Sequence, residues 1–197
     1  MAAIPTLEVH LLGTFRVRLG GRAISDTVWR QRRAAAIVKL LALAPDLRLH
    51  REQILDSLWP DLAAENAANN FRVSLHHARR GLEQVGAAPD TFLVRDGEGL
   101  FLGPREQIQV DVAQFVAAVS RAWQSSDPAI AHEAAALYAG DLLPEDPYEE
   151  WAVARREGLR TSYHTLLTRL AGLHEAAGDL DRAVAVRELA LASDALD

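Results

Sequence analysis

The spacing of apolar residues changes near residue 104, and this change constrains the fold more than any other feature of the sequence. From Val112 onward, apolar residues recur at helical intervals in four stretches. The segments between these stretches carry helix breakers: Asp127-Pro128, Gly140-Asp141, Pro144 to Pro147 and Gly178-Asp179. Four helices in antiparallel pairs are therefore predicted. Because 197 residues exceed the usual domain size of roughly 100 to 150, we predict two domains, residues 1–104 and 105–197.

The first of these domains mixes short strands with helices. The alternation and glycines of Leu7–Leu19 indicate one or two short strands. Helical spacing predicts helices over Arg30–Leu43, Arg51–Trp59 and about Ala67–Gln84, the first two ending at prolines. Asp-Gly between two apolar segments at 92–103 predicts a β-hairpin. This chain order is that of a winged helix-turn-helix, so the expected fold is mainly α: an α+β N-terminal part followed by an all-α domain.

The predicted helix over residues 67–84 has two contrasting faces. At 100° per residue, Phe71, Leu75, Ala78 and Leu82 fall within roughly 60° of one another and form a core-facing stripe. The opposite side carries cations and hydrogen-bonding groups: Asn69, Arg72, His76, Arg79 and Arg80. Because the major groove of B-DNA admits an α-helix and is read by such side chains, this helix is the candidate DNA-reading element. For each residue alone, an ordinary solvated side chain is the other interpretation.

Roles can be assigned along this helix and its neighbours. We expect Arg72 and His76 to touch bases, with Asn69 near the helix start as a further contact. We expect phosphate contacts from the remaining arginines: Arg79, Arg80, Arg51, Arg30 and Arg32. Arg51 follows a helix N-terminus, where the dipole also favours anions. Arg95, beside the hairpin tip, is expected to enter the adjacent minor groove.

The charge is unevenly distributed along the chain. Residues 1–104 hold 13 Lys and Arg against 11 Asp and Glu, a net charge of +2, whereas residues 105–197 hold 8 against 16, a net charge of -8. A phosphate backbone would repel the second half. The sequence contains no cysteine, which fits a reducing cytosol. It also contains no apolar run of about 18 residues. We therefore expect a cytoplasmic protein without a membrane span.

An ordered set of short motifs runs through nearly the whole chain. In the first half these are Leu11-Leu12-Gly13 with Phe15, Arg33 through Leu43, Arg51 to Leu55 leading to Leu58-Trp59-Pro60, and Asn70-Phe71-Arg72-Val73 leading to Arg79-Arg80. In the second half they are Asp111-Val112 with Phe115, Tyr138 with Gly140 to Pro144, and Tyr148 to Trp151. With these motifs in this order, the sequence resembles the Streptomyces antibiotic regulatory protein family, in which an OmpR-type winged helix precedes a bacterial transcriptional activator domain.

The resemblance implies a function and partners. It implies a transcriptional regulator, expected to be an activator, that binds direct repeats in promoter DNA through two protomers side by side and contacts RNA polymerase. The exposed loop Pro60 to Glu65 is the candidate polymerase contact, with a simple connector as the alternative. Residues 105–197 then form a tetratricopeptide-like activator domain, since Leu170, Gly178 and Ala183 to Ala190 resemble such a repeat. In this family the domain continues further, so we expect the chain to be C-terminally truncated.

Other classes of function find little support. The phosphate-binding, dinucleotide-binding, zinc-protease and serine-hydrolase motifs are all missing from the sequence, so we expect neither an enzyme nor a cofactor. The acidic cluster Glu145, Asp146, Glu149, Glu150 and Glu157 lacks the spacing of a calcium loop, so we expect no metal there and interpret it as a solvated loop and helix start. The remaining alternative is a protein-interaction module with a degenerate winged helix and a helical docking groove.

Overall fold

The computed structural model describes residues 5–88 and 90–194, and the helices and strands in them divide into two units. Unit 1 comprises Met1–His10 and Arg16–Val110, and unit 2 comprises Leu11–Phe15 and Asp111–Asp197. All seven strands of the described residues belong to unit 1, and unit 2 is helical. The expected mainly α fold with an α+β N-terminal part is therefore confirmed at this level.

Unit 1 contains two small sheets. In the first, β1 (Leu7–His10) pairs with β2 (Arg16–Leu19) in antiparallel fashion, and β3 (Arg22–Ala23) continues the sheet at one edge. At the other edge β7 (Ile108–Val110) pairs with β1 in parallel fashion. This pairing explains why unit 1 extends past residue 104 to Val110. Along β1 and β2 the buried side chains alternate with more accessible ones, as expected for a sheet with one face in the core.

Four helices and the second sheet complete unit 1. The helices are α1 (Asp26–Trp29), α2 (Arg32–Leu43), α3 (Arg51–Leu58) and α4 (Ala64–Gln84). The second sheet has the order β4-β6-β5, in which β5 (Leu93–Asp96) and β6 (Gly99–Leu102) form the hairpin predicted at the Asp-Gly turn and β4 (Arg48–His50) pairs with β6. The core of the unit lies between the helices and these sheets, with α2 buried over most of its length.

Two predicted helix starts in unit 1 were wrong. The first predicted helix was expected to start at Arg30, but Arg30 is the C-cap of the separate short helix α1, and α2 begins after Gln31, whose ψ of 83° is not helical. The long helix begins at Ala64, earlier than the predicted Ala67, because Asp61 to Glu65 contain no residue that stops a helix. His50 caps α3: its Nδ1 accepts from the backbone N–H of Glu52 while the side chain of Gln53 accepts from the backbone N–H of His50.

Unit 2 contains the four helices that the sequence predicts. They are α5 (Asp111–Trp123), α6 (Pro128–Ala136), α7 (Glu150–Ala176) and α8 (Leu180–Asp194), and each packs against the next in sequence. Asp127 caps α6 by accepting from the N–H of Ala129. None of the described helices is both long and apolar enough to cross a membrane.

The segment Leu11–Phe15 belongs to unit 2 although unit 1 precedes and follows it. The carboxylate of Asp111 accepts hydrogen bonds from the backbone N–H groups of Leu11 and Leu12, and also from that of Val112. Further along, Glu145 accepts from the N–H of Phe15 at 2.9 Å. The segment's apolar side chains are buried, so it is an integral part of the core of unit 2.

Candidate nucleic-acid interface

Helix α4 is held in unit 1 by one apolar face. Its buried residues are Ala67, Phe71, Ser74, Leu75, Ala78, Gly81 and Leu82, and it packs against α1, α2 and α3. At Gly81 the approach of α1 is so close that a Cβ atom would overlap the side chain of Val28. Four of the buried residues are those that the sequence predicted to face the core, so the orientation of α4 agrees with that prediction.

The opposite face of α4 is exposed to solvent. We call it the reading face and define it by its exposed residues Asn69, Asn70, Arg72, Val73, His76 and Arg80. Carboxylates occur only towards the two ends of the helix, at Glu65 and Glu83. The middle of the reading face therefore presents cations, amides and one aliphatic side chain.

Local contacts leave most of the reading face available. Arg72 donates one long hydrogen bond of 3.5 Å to the side-chain oxygen of Asn69, one turn earlier. The imidazole of His76 lies against that of His77, with ring centroids 5.7 Å apart and an edge-on orientation. Among the described residues, Arg80 has no hydrogen bond or ion pair. These side chains can consequently exchange water for a ligand without breaking strong internal bonds.

A hollow beside α4 collects three of the predicted arginines. Arg51 from the start of α3, Arg72 from α4 and Arg95 from β5 surround a cavity of about 240 Å³, whose floor is formed by apolar side chains including Phe71 and Leu75. The three residues are separated in sequence, so only the fold brings them together. Arg51 has one weak ion pair, 3.7 Å long, with Glu98 at the tip of the hairpin.

A second hollow lies next to the other flank of the reading face. Arg30 and Arg32, which were both predicted as phosphate contacts, line a cavity of about 410 Å³ together with Arg33, Asn70 and Val73. The guanidinium groups of Arg30 and Arg32 make no hydrogen bond or ion pair with any described residue, whereas Arg33 has a partner. The reading face thus has arginines beside it on both flanks.

Arg79 is occupied within unit 1. Its guanidinium donates to the carbonyl oxygen of Leu93 and forms a 2.7 Å ion pair with Asp90, and its side chain is only 24% exposed. These bonds could not be predicted from local sequence, because Asp90 and Leu93 lie in a loop and a strand whose position depends on the tertiary fold. In this arrangement Arg79 ties the hairpin to α4.

Asn70 and Val73 were not predicted as site residues, but both lie on the reading face. Their helical angles relative to Asn69 would have placed both on the exposed side. Arg48 was not predicted either; its guanidinium forms a 2.9 Å ion pair with Asp96 and lies 5.6 Å from the ring centroid of Phe101. Arg48 therefore stabilises the hairpin next to Arg95.

Two clusters of ionisable side chains in unit 2 have shifted pKa values, and the first is half-buried. Tyr138 donates to Asp141 at 2.8 Å, and Arg160 pairs with the same carboxylate, so the pKa of Asp141 is lowered chiefly by its hydrogen bond with Arg160. Burial, followed by the bond to Asp141, raises the pKa of Tyr138. Tyr138 also stacks on Tyr163 with centroids 4.3 Å apart. This cluster packs α7 against the loop that follows α6.

The second cluster is a pair of histidines. The Nε2 atoms of His132 on α6 and His174 on α7 are 3.0 Å apart, and His174 is 3% exposed. Burial, the neighbouring His174 and then Arg182 lower the pKa of His132. Within the described residues no group of three or more His, Cys, Asp or Glu side chains is arranged to hold a metal ion.

The acidic residues of the loop before α7 serve the fold of unit 2. Glu145 accepts from the backbone of Phe15, and Glu149 accepts from the indole N–H of Trp151 at 2.7 Å. The guanidinium of Arg156 fixes the same loop by donating to four backbone carbonyl oxygens, those of Leu142, Leu143, Asp146 and Pro147. The carboxylates are thus distributed over separate structural roles.

Comparison with known proteins shows the fold and leaves the family open. No model of a known protein family matches the sequence, and no curated protein matches it. Among solved structures, the fold is similar to that of Mycobacterium tuberculosis EmbR in complex with a low-affinity phosphopeptide, with a TM-score of 0.58 at 15% identity. The match covers 98% of this chain and 61% of the EmbR chain, so the present chain spans less than two thirds of that protein.

Proposed function

We propose that this chain is a sequence-specific DNA-binding regulator of transcription, of the type found in the Streptomyces antibiotic regulatory protein family. In this proposal unit 1 is an OmpR-type winged helix, with α4 as the recognition helix and β5–β6 as the wing. The observation that carries it is the reading face of α4, which is exposed, free of carboxylates in its middle and flanked by arginines on both sides.

The reading face suits the edges of base pairs. An α-helix fits into the major groove, where guanine offers two acceptors to a guanidinium and adenine offers a donor and an acceptor to an amide. Arg72 and Asn69 are the matching side chains, and His76 lies one turn further along the same face. These three residues are the proposed base contacts.

The flanking arginines suit the phosphates that border the groove. Arg30 and Arg32 lie on one flank of α4, and Arg51 and Arg95 lie on the other. A duplex that accepts α4 in its major groove presents a phosphate backbone on each side, so cations on both flanks fix the register of the helix. Arg80 is proposed as a further phosphate contact, and Arg95 on the wing is proposed to reach the adjacent minor groove.

The internal bonds of Arg79 change its proposed role. Because its guanidinium is taken up by Leu93 and Asp90, Arg79 is assigned to positioning the wing relative to α4. Its effect on DNA binding then runs through the orientation of Arg95.

Unit 2 is proposed to be a tetratricopeptide-like activator domain. Residues 105–197 carry a net charge of -8, which disfavours contacts with phosphate and favours contacts with proteins. The proposed partners are RNA polymerase and, on direct repeats, a second protomer; the proposed location is the cytoplasm. The exposed loop before α4, in which Leu62 is 42% exposed, is the proposed polymerase contact.

Selection from a random duplex library tests the proposal. The full chain should enrich a direct repeat, and the affinity for it should fall steeply with salt, with a slope of log affinity against log salt of about -0.9 per phosphate contacted. Replacing Arg30 and Arg32 with alanine should reduce the magnitude of this slope by about 2. Arg121→Ala with Arg155→Ala, an equal loss of exposed charge in unit 2, is the matched control and should leave the slope unchanged.

The outcome also decides between this function and the protein-interaction module. A library without enrichment, together with a shallow salt slope, would overturn DNA recognition and favour a module that binds protein only. Equal changes of slope in the two double variants would mean that the hollow lined by Arg30 and Arg32 does not face the duplex.

A further inference from the structure

Val73 is an exposed aliphatic residue in the middle of a polar surface. Its exposure is 48%, and within α4, all of which is described, no other large hydrophobic residue is exposed. Neither packing nor helix propensity explains the residue, because the side chain lies outside the core and a β-branched residue is a poorer helix former than alanine, lysine or glutamate. The side chain is therefore free to contact an external surface.

The side chain occupies the centre of the reading face. At about 100° per residue, the directions of Asn69, His76 and Arg80 all lie within about 60° of that of Val73. Any surface that the reading face contacts through those residues must also meet the two methyl groups of Val73. The same side chain lines the hollow that contains Arg30 and Arg32.

The edges of base pairs in the major groove are almost entirely polar. Their apolar group is the C5 methyl of thymine, and aliphatic side chains contact it. From this geometry we infer that Val73 is a specificity-determining residue that recognises a thymine methyl group between the bases contacted by the polar side chains. This inference rests on the proposed DNA-binding function and adds a defined base to its target.

The structure favours such a contact energetically. Valine has a single preferred rotamer in a helix, so its methyl groups are already placed and little entropy is lost on binding. Arg30 and Arg32, which line the same hollow, would hold the phosphate backbone nearby. Burying one methyl group is expected to strengthen binding about three- to five-fold.

A thymine-to-uracil scan tests the inference, since uracil lacks only the methyl group. Starting from a duplex selected from the random library, each thymine is replaced singly by deoxyuridine, and the full chain is titrated against each duplex. We expect one position in each half-site at which the replacement weakens binding about three- to five-fold. The Val73→Ala variant should bind the unmodified duplex more weakly by a similar factor and be insensitive to uracil at that position.

The matched control is Val184→Ala, which removes an exposed valine from a helix of unit 2; it should keep the uracil sensitivity of the original chain. Because alanine is a better helix former than valine, Val73→Ala should retain α4, and circular dichroism checks this. A flat scan, or a Val73→Ala variant that keeps the sensitive position, would overturn the inference. If a duplex is selected with a steep salt slope but its scan is flat, the proposed function stands and only the role of Val73 fails.

Discussion

The guanidinium of Arg79 donates two hydrogen bonds to the carbonyl oxygen of Leu93, from Nε at 3.2 Å and from Nη2 at 2.8 Å. Since Leu93 is fully buried, these bonds satisfy an acceptor that water would reach poorly. Replacing Arg79 with alanine should lower the free energy of unfolding by about 1–3 kcal/mol. Urea denaturation followed by circular dichroism measures the change.

The adjacent Arg80 offers a control for this prediction. It is exposed and makes no hydrogen bond or ion pair with the described residues, so Arg80→Ala should change the stability by less than about 0.5 kcal/mol. The two variants remove the same charge from neighbouring positions. Equal stabilities would mean that the Arg79 bonds contribute nothing in solution.

Gly81 in α4 should resist a substitution that stabilises most helices. A Cβ atom there would overlap the Val28 side chain of α1, so Gly81→Ala should lower the free energy of unfolding by about 1–3 kcal/mol. Gly172→Ala in α7, where the added Cβ meets open space, should instead raise it by about 0.5–1 kcal/mol. Thermal unfolding of both variants decides the sign, and a stabilised Gly81→Ala would contradict the close approach of α1.

Substitutions on the reading face should separate base recognition from general affinity. Arg72→Ala and His76→Ala are each expected to cost about 1–3 kcal/mol at the selected site and to flatten the preference at one base pair. Arg32→Ala should weaken binding to all duplexes alike and reduce the salt slope by about 1. Competition binding with singly substituted duplexes measures both effects. Retained preferences in Arg72→Ala and His76→Ala would remove these residues from the base-contact set.

The histidine pair of unit 2 predicts a dependence of stability on pH. In the unfolded chain His132 regains an ordinary pKa of about 6.5, whereas burial, His174 and Arg182 keep the pKa lower in the fold. The unfolded state therefore binds more protons as the solution becomes acidic. The contribution of His132 to the free energy of unfolding is therefore fully present above pH 6.5, and it is lost as the pH falls below that value.

Groups facing this pair include Asp127, Glu133, Asp179 and Arg182, which line the same hollow. The substitution His132→Gln, which keeps a polar partner for His174, should flatten the decline of the unfolding temperature between pH 7.5 and 5. His77→Gln in unit 1 is the control and should leave the decline as it is. Parallel curves for His132→Gln and the original chain would rule out His132 as the group responsible.

Local signals were enough to predict the hairpin and the longer helices, but not the four-residue helix α1. The apolar stripe of α4 from Phe71 to Leu82 recurs over about three turns and the Asp-Gly turn is specific, so both predictions depend only on nearby residues. The short strands β3, β4 and β7 escaped prediction because each has only two or three residues. Such strands owe their existence to partners far away in sequence, as β7 does to β1.

The sequence was enough to predict which residues of α4 are exposed, but not which side chains from other elements lie next to them. Helical angles place Arg72 and His76 on the exposed face, and the structure agrees. The grouping of Arg51 and Arg95 around Arg72 follows from the packing of α3 and the hairpin against α4, for which the sequence has no local signal. The same reason explains Arg79, whose partners are fixed by the tertiary fold.

The interruption of unit 1 by Leu11–Phe15 determines how the chain can be divided. A fragment that stops at Val110 would retain Leu11, Leu12 and Phe15 but lose the carboxylates of Asp111 and Glu145, which accept hydrogen bonds from their backbone N–H groups. It would also lose the part of unit 2 in which these apolar side chains are buried. His10 and Arg16, however, are neighbours across β1 and β2. A short turn that joins them directly should yield a unit 1 module for fusion to other domains.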